Sequence, residues 1–162
     1  ILARGNNAAE ALDRAVDAAN AIVCAELLGL MGTALDMTLE YLRTRVQFGK
    51  AIGTFQVLQH RCVDLFVQQQ LASASLSDAL EALDNEPDAR GTAATVSRAK
   101  ARCADAAALI TRQAIQMHGA VGFTEDSDVG LFVKRALTLS AWLGNSAYHR
   151  RRFARLAPDN EE

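Results

Sequence analysis

The sequence predicts an all-α fold: an antiparallel up-and-down four-helix bundle with a short additional helix. Three observations carry this expectation. Apolar residues recur at helical spacing along most of the 162 residues. Alanine and leucine dominate, with only 2 prolines and 6% aromatic residues. No stretch alternates at a period of two, and no repeat or low-complexity segment interrupts the pattern.

The first helix is expected from about Asn7 to Val46, with Leu12, Val16, Val23, Leu27, Leu30, Ala34 and Tyr41 on its apolar face. Asn7 is a candidate N-cap, and Glu10 its capping-box partner. At ~1.5 Å per residue such a helix is about 60 Å long, so its ends need cover from something else. The segment Gln47–Thr54 is the first break. A second helix follows from Phe55 to Leu83, with Leu58, Cys62, Leu65, Phe66, Ala72, Leu76, Leu80 and Leu83 inward.

Asp84-Asn85-Glu86-Pro87 is a turn, since asparagine tolerates left-handed geometry and proline stops the preceding helix. A third helix runs from Asp88 to His118 and buries Val96, Ala99, Cys103, Ala106, Ile110, Ala114 and Met117. Its alanines permit close helix approach. Gly119 suits the position just past its end. Ser127 or Asp128 can cap a shorter helix ending near Leu139, and Asn145 or Ser146 a last one from about Gly144 to Leu156. Residues 1–156 therefore read as one bundle domain and 157–162 as a disordered tail.

The formal net charge of −2 demands neither nucleic acid nor an anionic membrane as partner. No uninterrupted apolar run approaches the ~20 residues that span a bilayer, and no signal peptide opens the chain. Cys24, Cys62 and Cys103 lack metal or redox spacing; they read as reduced thiols at apolar helix positions, as in a cytoplasmic protein. The chain opens on Ile1 rather than methionine, which suggests a piece of something longer.

His60, His118 and His149 form no metal-ligand pair, and no metal site is expected. For His118 and His149 the helix dipole supplies a structural account. GAVG at 119–122 follows no strand and fails as a dinucleotide fingerprint. The basic run 149–152 with Arg155 reads as a solvated face. What remains are two irregular breaks, RVQFGKAIGTFQ (45–56) and QMHGAVGFT (116–124). Each sets glycines beside donors (Arg45, Gln47, Gln56, Gln116) and aromatics (Phe48, Phe55, Phe123). Glycine admits close backbone approach, arginine forks onto phosphate oxygens and an aromatic offers a flat face. That set suits a nucleotide-like ligand with a pyrophosphate.

Two long segments carry a resemblance. ELLGLMGTALDMTLEYLRTRVQFGKAIGTFQVLQHRCVDL (26–65) resembles the start of the C-terminal helical domain of the acyl-CoA dehydrogenases. QAIQMHGAVGFTEDSDVGLFVKRA (113–136) resembles the second signature of that domain. The resemblance implies a tetrameric flavoprotein, homomeric or heteromeric, with FAD between this domain and a middle domain and reaching a neighbouring subunit. It implies α,β-dehydrogenation of an acyl-CoA, with electrons passed to electron-transfer flavoprotein.

By the same resemblance, Arg45 matches the arginine on the FAD pyrophosphate and Phe48 the aromatic near the adenine dinucleotide. Gln56 matches the glutamine after the glycine turn. Gln116 and Gly119 open the family's Q-x-x-G-G segment along the partner's FAD, with Ala120 in place of the second glycine. Asn145 replaces a threonine that often contacts FAD. The usual catalytic glutamate aligns with Leu143 and the alternative base position with Ala19, so neither offers a base. Asn20 stands where an arginine often lies near the CoA, with Asp17 beside it. Glu26 reads as a helix–helix contact, and Glu125, Asp126 and Asp128 as capping or solvated groups. The chain then holds the cofactor, and the base comes from elsewhere in the protein or from a partner subunit.

Overall fold

The computed structural model describes residues 5–85, 88–125 and 127–157. Among the described residues five α-helices appear in order: α1 (Asn6–Thr44), α2 (Gln56–Asn85), α3 (Ala89–His118), α4 (Val129–Ala141) and α5 (Ser146–Leu156). Two strands of two residues each, β1 (Val46–Gln47) and β2 (Lys50–Ala51), pair antiparallel between α1 and α2. This small hairpin is a correction to the reading of no strands: at two residues per strand it is too short for an alternating pattern to show.

Long-range contacts set the helix directions. Tyr41 stacks on His118 with ring centroids 4.4 Å apart, and the Cys24 and Cys103 thiols meet further down, so α1 and α3 run parallel. Arg98 pairs with Asp78, Cys103 Sγ contacts the Ala72 carbonyl and Cys62 contacts Met117, so α2 runs antiparallel to α3. Ser140 Oγ donates to the Ala104 carbonyl, and Arg90 donates to the carbonyls of Arg155 and Leu156. The fourth member of the bundle is thus α4 and α5 in succession, broken at a corner of residues 142–145. The up-and-down bundle holds, with α3 at its centre.

The core explains this arrangement. Leu27, Met31, Val96, Ile110 and Leu139 are fully buried, each side chain contributing about 1.5–3 kcal/mol. Alanines at 93, 94, 99, 104, 106, 107 and 114 of α3 are buried and leave no bulk to hold its neighbours away. Three expected core residues are instead exposed: Leu12 at 64%, Phe66 at 52% and Leu80 at 46%. Leu12 lies near the start of α1, which has 39 residues against 30 in α2 and in α3 and so overhangs them.

Helix ends follow local chemistry. Asp88 caps α3 by accepting from the amides of Arg90 and Gly91, and Asn145 caps α5 by accepting from the Tyr148 amide. Gly119 closes α3 at φ 65°. Two expectations fail: α1 starts at Asn6 with Gly5 at the cap, so Asn7 lies within the helix, and the Asp128 side chain makes no cap bond. Glu86, Pro87, Asp126 and the tail beyond Ala157 lie outside the described residues. By length and composition alone, Ala8–Thr44 could cross a bilayer, despite the reading from uninterrupted runs. Its apolar face is the one packed in the bundle core.

Candidate functional site

The two irregular breaks lie at the same end of the bundle, because α1 and α3 are parallel and the Tyr41–His118 stack pins their last turns together. Arg45 closes α1: its amide donates to the Tyr41 carbonyl and its own carbonyl accepts from Ile52, both at 2.8 Å. Arg45 is exposed, as is Gln56 at the start of α2. Gln116, Gly119 and Ala120 are exposed at the end of α3, and His118 between them is buried with Nδ1 2.8 Å from the Ala114 carbonyl.

The hairpin tip is the most unusual piece of backbone. Phe48 and Gly49 have φ 53° and 79°, the paired positive values of a tight two-residue hairpin turn. Glycine adopts this freely; phenylalanine does so at a cost of about 1 kcal/mol or more. Phe48 is nonetheless 91% exposed, so no core packing offsets the strain. It meets Phe55 edge-on at 6.0 Å, and Lys50 Nζ sits 4.4 Å over the Phe55 ring. Gly53 lets this segment dock on α1, since a Cβ there would lie 2.8 Å from the Leu42 carbonyl oxygen.

Six of the seven expected cofactor residues, Arg45, Phe48, Gln56, Gln116, Gly119 and Ala120, belong to this end. Asn145 does not. Its corner lies level with Lys100, whose ammonium is 3.0 Å from the Gly144 carbonyl. Sixteen residues along α3 separate Lys100 from Gln116, about 24 Å. The Asn145 Oδ1 caps α5, which leaves its amide nitrogen for other partners. Leu143 is half-buried against the core at φ 58°, and its carbonyl accepts from His149 Nε2 at 3.0 Å. Ala19 is partly buried on α1.

The polar interior between α1, α3 and α5 was invisible in the sequence reading. Arg152 grips Asp17 with two nitrogens at 2.6 and 2.9 Å, and also reaches Ser97 Oγ at 2.8 Å. The side chains are 16% and 7% exposed. Asp17 raises the Arg152 pKa by hydrogen bonding to it. Asn20 is fully buried one turn away; its amide donates to Val16, while its Oδ1 has no hydrogen-bond partner.

His149 is also buried, and burial lowers its pKa. The run 149–152 is a solvated face only in part: Arg150 and Arg151 are exposed, as is Arg155, and Arg150 pairs with Asp105, whereas His149 and Arg152 point inward. Glu26 bonds Arg135 across α1 and α4 at 2.6 Å, the helix–helix contact expected of it. A groove of 660 Å³ lies beside Asp17 and is lined by Ala18, Ala21, Ile22, Leu80 and Leu83. That is roughly 40 Å along α1 from Arg45. Among the described residues no cluster of metal-ligating side chains occurs.

Comparison with known proteins places the chain. The family model described as "Acyl-CoA dehydrogenase, C-terminal domain" matches residues 7–157. Acyl-CoA dehydrogenase IpdE2 of Mycolicibacterium smegmatis is 35% identical over 130 residues, 79% of this chain and 39% of that protein. Acyl-CoA dehydrogenase FadE34 of Mycobacterium tuberculosis is 32% identical over 146 residues, 89% of this chain and 20% of that protein. Among solved structures, butyryl-CoA dehydrogenase from Megasphaera elsdenii superposes with TM-score 0.79 at 25% identity, covering 86% of this chain and 36% of that one. A variant of the Tcur3481–Tcur3483 steroid ACAD reaches TM-score 0.85 at 26% identity, covering 90% and 40%. The chain thus spans at most about two fifths of the relatives it matches. With this bundle, these two breaks and a match over residues 7–157, the chain belongs to the acyl-CoA dehydrogenase family as a C-terminal helical domain.

Proposed function

We propose that this chain is the C-terminal domain of an FAD-dependent acyl-CoA dehydrogenase subunit, supplying FAD contacts and tetramer packing. The observation that carries the reading is that Arg45, Gln56 and the Gln116–Ala120 segment lie exposed at the same end of the bundle as the strained, exposed Phe48 tip. These residues fit the cofactor. The Arg45 guanidinium would fork onto pyrophosphate oxygens, Gln56 and Gln116 would donate from the flanks, and Phe48 would lie against a ring. A Cβ at Gly119 would meet nothing within 4 Å, so the backbone there is open to approach.

When bound, FAD supplies the hydride acceptor for α,β-dehydrogenation of an acyl-CoA. The chain's own residues bind and orient it. The separation of about 24 Å along α3 between Gln116 and Lys100, which lies beside the Asn145 corner, supports a site shared between subunits, each contributing one end. Val57, Val63, Phe66, Val67 and Leu71 are exposed on α2, an apolar stripe suited to subunit packing. Electron-transfer flavoprotein would be the electron acceptor, and the cytoplasm the compartment.

A second reading rests on Leu143 and Ala19: a non-catalytic subunit of a heterotetramer whose partner supplies the base. Neither side chain can accept a proton. The test of the cofactor reading is Arg45→Ala in the full-length protein. FAD content should fall while assembly by size-exclusion with light scattering is kept; unchanged flavin content refutes the assignment. Acyl-CoA-dependent dye reduction by the full-length protein alone, or only with a partner, separates the two readings.

A further inference from the structure

Lys100 is fully buried in the middle of α3. Its ammonium lies 3.1, 3.4 and 3.0 Å from the carbonyls of Leu139, Ser140 and Gly144. The first two belong to the last turn of α4, where carbonyls lack helical partners and the helix dipole is negative. The third belongs to the corner itself. An ammonium has three N–H donors, and here there are three acceptors.

The corner is strained and crowded. Leu143 and Gly144 take φ 58° and 109° in succession. A Cβ on Gly144 would fall 2.5 Å from the Tyr148 ring and 2.8 Å from His149 Nε2. His149 holds the Leu143 carbonyl from the α5 side. Such backbone persists only where its surroundings over-determine it, and it collects at ligand sites. A buried lysine is costly, and its desolvation pushes the Lys100 pKa down. An apolar residue and an ordinary turn would join two helices without that cost.

We propose that Lys100 is a positioning residue: from α3 it clamps the α4–α5 corner in its left-handed form and so fixes where Asn145 meets the flavin. The inference rests on the cofactor reading above. Lys100 itself touches no cofactor. It acts through the Gly144 carbonyl, one residue from Asn145.

The test uses the FAD-loaded full-length protein with Lys100→Met, which keeps length and removes the donors. Amide hydrogen exchange at residues 143–145 should quicken and FAD binding weaken by about tenfold each, the loss of one charge-assisted hydrogen bond. The visible circular dichroism of the flavin should change, with exchange in the α1–α3 core unaltered. Should that variant not fold, Gly144→Ala displaces the same carbonyl from the α5 side with Lys100 in place, and should give the same signature. Wild-type exchange at the corner, or a loosened corner with unchanged flavin affinity and dichroism, overturns the proposal. If Arg45→Ala loses FAD while Lys100→Met and Gly144→Ala leave it untouched, this inference fails alone. If Arg45→Ala keeps FAD, the cofactor reading fails and takes this inference with it.

Discussion

Replacing Asp17 by asparagine removes one charge from the inner ion pair and keeps the side chain's shape. Wild-type Asp17 holds Arg152 through contacts of 2.6 and 2.9 Å, and the pair is nearly closed to solvent. Without the carboxylate, the guanidinium retains Ser97 Oγ at 2.8 Å and the Ala93 carbonyl at 3.3 Å, neither of which carries charge. Breaking a buried pair from one side costs about 3–5 kcal/mol. Arg152 keeps 16% exposure, so water offsets part of this, and the low end applies.

The expected loss is about 3 kcal/mol, or a fall of roughly 6–12 °C in Tm for a domain of this size. In urea, at a slope of about 2 kcal/mol/M, the midpoint falls by about 1.5 M. Circular dichroism at 222 nm follows both transitions. The decisive comparison adds Asp17→Leu, Arg152→Met and the double variant Asp17→Leu/Arg152→Met. Replacing both partners by apolar groups leaves no stranded charge, so the double variant should lie within about 1 kcal/mol of wild type. A loss below about 1 kcal/mol in Asp17→Asn, or single effects that simply add in the double variant, refutes the idea that the pair is a coupled buried unit.

Two further outcomes follow from the same geometry. Burial holds the His149 pKa below its ordinary 6.5, so the unfolded chain binds that proton more readily than the folded one. The His149 contribution is fully present above roughly pH 6.5 and is lost as the pH falls below it; Tm should drop between pH 7 and 5, and less so in His149→Gln. Phe48→Gly relieves the positive φ of 53° and loses no core contact. Thermal stability should rise or hold within about 1 kcal/mol, while FAD affinity in the full-length protein falls; an unchanged affinity argues that the tip has no ligand.

Much of the candidate site was legible in the chain. Arg45, Phe48, Gln56 and Gln116 stand out because donors, aromatics and glycines interrupt otherwise regular helices, and an interruption is a local signal. Lys100 had a fainter one: a lysine among Val96, Ala99 and Cys103 on the apolar face of α3. Which carbonyls it serves depends on a corner some forty residues away, and no periodicity encodes that. Asp17 and Arg152 gave no signal of pairing, since 135 residues separate them. His149 and Arg152 looked like part of a solvated basic run because sequence cannot show which face of α5 meets α3.

The sequence by itself determined the helices, the two breaks between them and the family. Helical periodicity, capping residues and glycine turns act over a few residues, and a long motif carries its own identity. Only the tertiary structure decided how those pieces meet. It set the two short helices in succession as the fourth member of the bundle with Lys100 at their corner, brought the two breaks to one end through the Tyr41–His118 stack, and set Asn145 apart from them. The reason is physical. Burial and long-range hydrogen bonds depend on which helix faces which, and packing of the whole bundle settles that at once.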